Sequence, residues 1–168
     1  MLHSTKSVAN YFLELAKKNG QALTPMKLQK LVYYAMGWFA GYTGKPLVDE
    51  AAEAWQYGPV FPSLYHEFKP FGAGPITRKA VGRNPDFSQT EVPPPAESDV
   101  RQFLDNVWDS YSKYTGIALS EMTHAVGTPW ELTWKASQGV RDVSIPFDLI
   151  KEHFQAAAEK AQQRSVAA

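Results

Sequence analysis

Histidine, carboxylate and serine side chains are where chemistry on this chain would have to begin. The histidines are His3, His66, His124 and His153. His66-Glu67 opens like the helical zinc-protease motif, but the second histidine that motif needs four residues on is replaced by Pro70. Glu121 and His124 stand three apart, the spacing that sets a carboxylate and an imidazole on one helical face. A di-iron bundle needs two such pairs and two more carboxylates, and there is no second pair. His124 is therefore read as a structural hydrogen-bond donor rather than a metal ligand. Gly72-Ala73-Gly74 runs into Pro75 instead of a helix, so it is no dinucleotide fingerprint, and no Gly-x-Ser-x-Gly elbow occurs. Asp49-Glu50 reads as a solvated turn. The absence of cysteine excludes disulfides, thiolate metal sites and thiol nucleophiles. These residues nominate no catalytic group, no cofactor and no metal. They favour a binding module over an enzyme, with a small hydrolase or metal-dependent enzyme carrying an unrecognised site as the rival.

Composition narrows the partners. The 17 basic and 17 acidic residues balance to zero. Nucleic-acid binders draw most of their affinity from neutralising phosphates and show a basic excess, so nucleic acid is disfavoured as the main partner, and a transcriptional regulator with it. Five Trp, eight Tyr and nine Phe are more than one small core needs, so some should be exposed and serve protein contacts. No apolar run has the roughly 18 residues of a membrane span and no signal-peptide core opens the chain, which implies a cytoplasmic protein. At 168 residues the chain suits one domain.

The elements that must position any site centre on residues 23–71. Thr24 can cap a helix whose first residue is Pro25, where a missing N–H costs nothing. Leu28, Leu31, Val32, Ala35, Trp38, Phe39 and Tyr42 then follow at threes and fours, one wide apolar face that must be buried. Gln29, Lys30 and Tyr33 point away from it. Gly37 costs about 1 kcal/mol in mid-helix against alanine, so it implies close approach by another backbone. Gly41, Gly44 and Pro46 end the helix. Residues 54–57 read as a short strand with Trp55 and Tyr57 on one side, stopped by Gly58-Pro59. A short helix with Leu64, Tyr65 and Phe68 starts at Pro62.

Around this stretch, a first helix is expected from about Thr5 to Lys18, closed by Gly20. Prolines break residues 70–97 into a long loop holding the basic cluster Arg78, Lys79 and Arg83, read as solvated. Residues 90–92 could add a strand against 54–57. Ser98 or Asp99 should cap a helix through Val100, Phe103, Leu104, Val107, Trp108 and Tyr111 that Gly116 ends. Ser120 should cap a short helix with His124, and Thr128-Pro129 another to about Ser137. Residues 139–144 read as a turn, and Ile145-Pro146 opens a final helix with Phe147, Ile150 and Phe154 inward. Its alanine-rich tail, 156–168, is expected to fray. The fold class expected is mainly α: one compact bundle of six or seven helices over residues 1–168, core about 5–155, with a small two- or three-stranded β element.

The pieces Met26-Lys27-Leu28-Gln29-Lys30-Leu31-Val32-Tyr33-Tyr34-Ala35, Glu53-Ala54-Trp55-Gln56-Tyr57-Gly58-Pro59-Val60 and Pro62-Ser63-Leu64-Tyr65 resemble the Panacea antitoxin domain, the SocA-like family formerly described as an uncharacterised phage-associated domain. Leu119-Ser120, Thr123-His124, Pro129-Trp130 and the run from Ile145 to Phe154 are similar too, so the resemblance covers nearly the whole chain. It implies an antitoxin of a bacterial or phage toxin–antitoxin system that neutralises a protein toxin encoded next door by binding it. It also implies an alternative, an adaptor that delivers the toxin to the ClpXP protease. Some members carry an added DNA-binding domain, for which the span of the resemblance leaves no room here. The motif residues Gly58, Pro59, His124, Pro129 and Trp130 are read as structural. No membrane partner is implied, and self-association is left open.

The toxin-contacting surface is expected around Trp55, Tyr57 and the exposed side of the 24–42 helix near Gln29, Lys30 and Tyr33. The stretch holds more aromatics than its own packing needs, and its short strand should offer unpaired edge groups.

Overall fold

A computed structural model describes residues 2–140 and 142–167. In chain order the elements are α1 (Thr5–Lys18), α2 (Pro25–Thr43), β1 (Glu53–Trp55), β2 (Gly58–Val60), α3 (Pro62–Phe68), β3 (Val81–Arg83), β4 (Gln89–Glu91), α4 (Ser98–Tyr111), α5 (Gly116–Thr123), α6 (Pro129–Ala136), β5 (Val143–Ser144) and α7 (Phe147–Ala167). The protein is mainly α, with seven helices and two small antiparallel sheets among the described residues.

Hydroxyl caps start four of the helices: Ser4, Thr24, Thr115 and Thr128 each accept an amide of the first turn. Proline follows Thr24 and Thr128 at the first helical position, as their sequences require. Two expected caps fall elsewhere. α4 starts at Ser98 behind Glu97 with no side-chain cap, and Ser120 lies inside α5 rather than before it. Gly116 opens α5 instead of closing α4, because the Thr115 hydroxyl takes the Ala118 amide.

Helix α2 is the axis of the fold and packs against α1, α3, α4, α5, α7 and β2. Leu28, Leu31, Val32 and Ala35 are fully buried on it, Trp38 and Phe39 are half-buried, and Tyr42 is exposed. Burial extends round the helix: Gln29, Lys30 and Tyr33, expected on an exposed side, are each buried. Between residues 28 and 37 the helix is enclosed by neighbours and has no solvent face to give them. Helix α7 lies on the Gly37/Gly41 ridge. A Cβ at Gly41 would stand 2.7 Å from the Phe154 carbonyl carbon, and one at Gly37 2.2 Å from the Phe154 ring. The close backbone approach expected at Gly37 thus occurs one turn later, and Gly37 makes room for the ring. Phe154 also meets Tyr33, Tyr34 and Trp38 edge-on. Residues 156–167 continue α7 as helix.

The first sheet has the order β2-β1-β5. Gly58-Pro59, read as a strand stop, is a strand itself, with Glu53 opposite Val60 and Trp55 opposite Gly58. Gly58 has φ of 114°, which lets the chain reverse after Tyr57 and run back beside β1. Residues 89–91 pair with β3, not with β1: Asn84 to Ser88 close a local hairpin, which costs less chain entropy than crossing to a distant strand. The loop from 70 to 97 is tied down as well. Asn10 on α1 bonds the Ala80 amide and carbonyl and the Val92 carbonyl through its side-chain amide. Arg78 pairs with Glu67 and Lys79 with Glu14, so two of the three basic residues read as solvated are ion-paired.

Candidate functional site

The β1–β2 hairpin is where the candidate residues meet. Its backbone polar groups, expected to be free, are taken by side chains. Gln29 on α2 donates to the Phe61 carbonyl at 3.0 Å and accepts the Phe61 amide at 2.8 Å, a two-point clasp on the chain leaving β2. Lys30 donates to the Pro59 carbonyl at 3.2 Å. The Ser120 hydroxyl donates to the Tyr57 carbonyl, and Trp130 Nε1 to the Trp55 carbonyl at 2.7 Å. β1 lies between β2 and β5 and so is not an edge, and with these carbonyls occupied the hairpin has little backbone left to offer an incoming strand. The polar pair on α2 is explained by this clasp, since a buried amide or carbonyl without a partner costs about 1–3 kcal/mol.

Lys30 is 2 % exposed, and no carboxylate lies within ion-pair distance of its ammonium among the described residues. Burial pulls its pKa down to about 7. A side chain at position 58 would press on it, with a Cβ 2.7 Å from Lys30 Cε and 2.9 Å from Thr123 Oγ1. Gly58 therefore serves both the turn and the seat of the lysine. His124 feels the same ammonium: burial, then the Lys30 charge, holds the imidazole below its usual range. The expected hydrogen bond from His124 is not made. Its Nε2 is buried without a partner among the described residues, and the ring stacks on Trp130 at 3.8 Å and 17°. Trp130 stacks in turn on Trp134 at 5.3 Å. Pro129 is the buried first residue of α6. No group of three or more His, Asp or Glu side chains assembles a metal site among the described residues.

In front of the hairpin lies a cleft of about 620 Å³. Gln29, Lys30, Trp55 and Tyr57 line it, so the structure brings four of the five interface candidates together. Tyr33 is not among them. It is 2 % exposed inside the α2–α7 contact, where its ring meets Tyr34 and Phe154. Tyr57 is the contrary case, 63 % exposed at the hairpin tip. Met26, Tyr65, Lys69 and Trp134, not nominated from the sequence, also line it. The Trp55 ring meets Tyr65 edge-on at 4.8 Å and its Nε1 donates to Glu53. The Lys69 ammonium stands 5.8 Å from the Tyr65 ring centre. One signal for Trp134 was in the sequence: it lies one helical turn beyond Trp130 on the same face.

A family model described as "Antitoxin SocA-like, Panacea domain" matches residues 28–131, which include the α2 clasp, the hairpin and the His124–Trp130 stack. Antitoxin SocA of Caulobacter vibrioides (strain NA1000 / CB15N) is 31% identical over 128 residues, covering 76% of this chain and 68% of that protein. No solved structure gives a significant match. No helix of the described residues is long and apolar enough to cross a membrane. With more than half of its length matched by the family model, and with a relative at this identity, the chain belongs to the SocA-like antitoxin family.

Proposed function

We propose that this protein neutralises a cognate protein toxin by forming a complex with it, and that it acts in the cytoplasm as a binding partner rather than as an enzyme. Membership of an antitoxin family supports the role in general. The observation that carries direct binding is the cleft before the β1–β2 hairpin, walled by Trp55, Tyr65 and Trp134, with Tyr57 standing exposed at its edge. Rigid aromatic side chains around a concave surface are the usual anchors of protein interfaces, because they bury a large area at little entropic cost. In this reading Tyr57 and Trp55 touch the toxin, while Gln29 and Lys30 hold the hairpin that presents them. Tyr33 and the residues Gly58, Pro59, His124, Pro129 and Trp130 support the frame.

The test is co-expression with the product of the adjacent gene. That product alone should arrest growth, co-expression should relieve the arrest, and the two proteins should co-purify. Relief without a stable complex, lost in cells lacking ClpXP, would replace direct neutralisation with delivery for proteolysis. A harmless neighbour would remove the support for a toxin partner there.

A further inference from the structure

The charges around the cleft are one-sided. Among the described residues lining it, the charged ones are Lys30 and Lys69, and no carboxylate lines it. Lys30 is committed to the Pro59 carbonyl beneath the hairpin. Lys69 is different. It is exposed in the short 3-10 turn Lys69–Phe71 that follows α3, makes no ion pair among the described residues, and rests against the face of Tyr65. Beside the amides of Gln29 and Gln56, the large side chains of the wall are aromatic or apolar: Met26, Trp55, Tyr57, Tyr65 and Trp134. This arrangement stands out against the chain as a whole, whose net charge is zero and whose other basic residues near α3, Lys6 and Arg78, are both paired with Glu67.

An apolar anchor entering such a cleft gains burial against the rings. A carboxylate beside it would meet Lys69 at the rim, and a lysine or arginine there would be repelled. Strand addition is disfavoured as the mode of binding because the Trp55, Tyr57 and Pro59 carbonyls already accept side-chain hydrogen bonds. Side chains, rather than a partner's backbone, must therefore carry the recognition.

We infer that the cleft receives an acidic–apolar segment of the partner protein: a large apolar side chain seated among Trp55, Tyr57, Tyr65 and Trp134, with an adjacent aspartate or glutamate paired to Lys69. The inference rests on the complex-forming reading above and specifies the chemistry of its anchor.

Its test needs no toxin. A fluorescein-labelled peptide with a central leucine–tryptophan pair flanked by aspartates is titrated into the full chain beside the same peptide with lysines for aspartates. The acidic peptide should bind about tenfold more tightly. That preference should fade between about 0.1 M and about 1 M salt, as the screening length falls from about 10 Å to about 3 Å. Lys69→Glu should reverse the preference, Tyr57→Ala should weaken both peptides, and Lys113→Glu, on the loop after α4, should change neither. Unchanged melting of all three exposed-site variants checks that the fold is intact. Equal binding of the two peptides, binding of neither, or an acidic preference that survives Lys69→Glu would overturn the inference. Toxin co-purification with no acidic preference sinks the anchor chemistry alone. Acidic preference with no toxin complex sinks the complex reading alone.

Discussion

Lys30 shows how a single residue can look functional in the sequence and prove to be a fastener. On α2 it was set apart by lying off the apolar stripe, and polarity suggested exposure. In the fold its stem is buried and its ammonium holds a backbone carbonyl. The cost of burying that charge makes a measurable prediction. The unfolded lysine titrates near 10.5 and the folded one near 7, so between these values the unfolded chain binds more protons. Stability must then rise with pH across this window, with a slope of at most about 1.4 kcal/mol per pH unit from this group. The lowered pKa values of His124 and His153 act below pH 7. The raised pKa values of Tyr11, Tyr33, Tyr34 and Tyr111 act in the opposite sense from about pH 9 upward, as the unfolded tyrosines ionise. Urea melts between about pH 7 and about pH 9 should show the rise in the native protein and a clearly shallower one in Lys30→Met, where the half-buried Lys27, also lowered by burial, leaves a residual slope. An equal slope in both would mean that Lys30 keeps its charge.

Among the elements, the α2–α7 contact is the tightest joint. It exists because two glycines one turn apart let α7 settle on the helix surface, and Phe154 fills the space they leave. Gly41→Val places a side chain where the Phe154 backbone runs, so the helices must separate. Phe154→Ala removes a ring that Tyr33, Tyr34 and Trp38 all touch. Phe154→Ala should cost about 3–5 kcal/mol, and Gly41→Val about 1–3 kcal/mol or more, read from chemical denaturation. The hairpin clasp is a different kind of joint. It relies on hydrogen bonds from α2, α5 and α6 converging on one short segment, which fixes the attitude of Trp55 and Tyr57 without giving them much core of their own.

For the whole molecule, the division between frame and contact surface can be tested with two tyrosines. Tyr33→Ala and Tyr57→Ala remove the same side chain from a buried and an exposed place. Tyr33→Ala should lower stability by about 3–5 kcal/mol and weaken toxin binding only as far as it unfolds the protein. Tyr57→Ala should leave melting unchanged and cost about 2 kcal/mol or more of binding. Similar melting losses for both would make Tyr57 structural and move the search for the toxin contact to the 70–97 loop. That loop is less free than its prolines suggest, because Asn10, Lys6 and Glu14 on α1 hold it by its carbonyls and basic residues.

Local chemistry was legible in the sequence wherever neighbours in the chain decide the outcome. The Thr24-Pro25 and Thr128-Pro129 helix starts, the bounds of α1 and the buried run of Leu28, Leu31, Val32 and Ala35 follow from hydroxyl caps, fixed proline φ and the 3.6-residue period. The family motifs were legible too, because they are strings of residues. What required the tertiary structure was every feature set by a distant partner. Periodicity could say that Gln29, Lys30 and Tyr33 leave the apolar stripe, but not that α2 is enclosed, which depends on α5, α7 and β2 arriving from elsewhere in the chain. Gly58-Pro59 reads as a breaker until β1 pairs with it and Lys30, Gln29 and Ser120 hold Pro59, Phe61 and Tyr57 in place. The cleft likewise has no signature in any one segment. Its walls come from α2, the β1–β2 hairpin, α3 and α6, and only the packed chain brings Met26, Tyr57, Lys69 and Trp134 around one space.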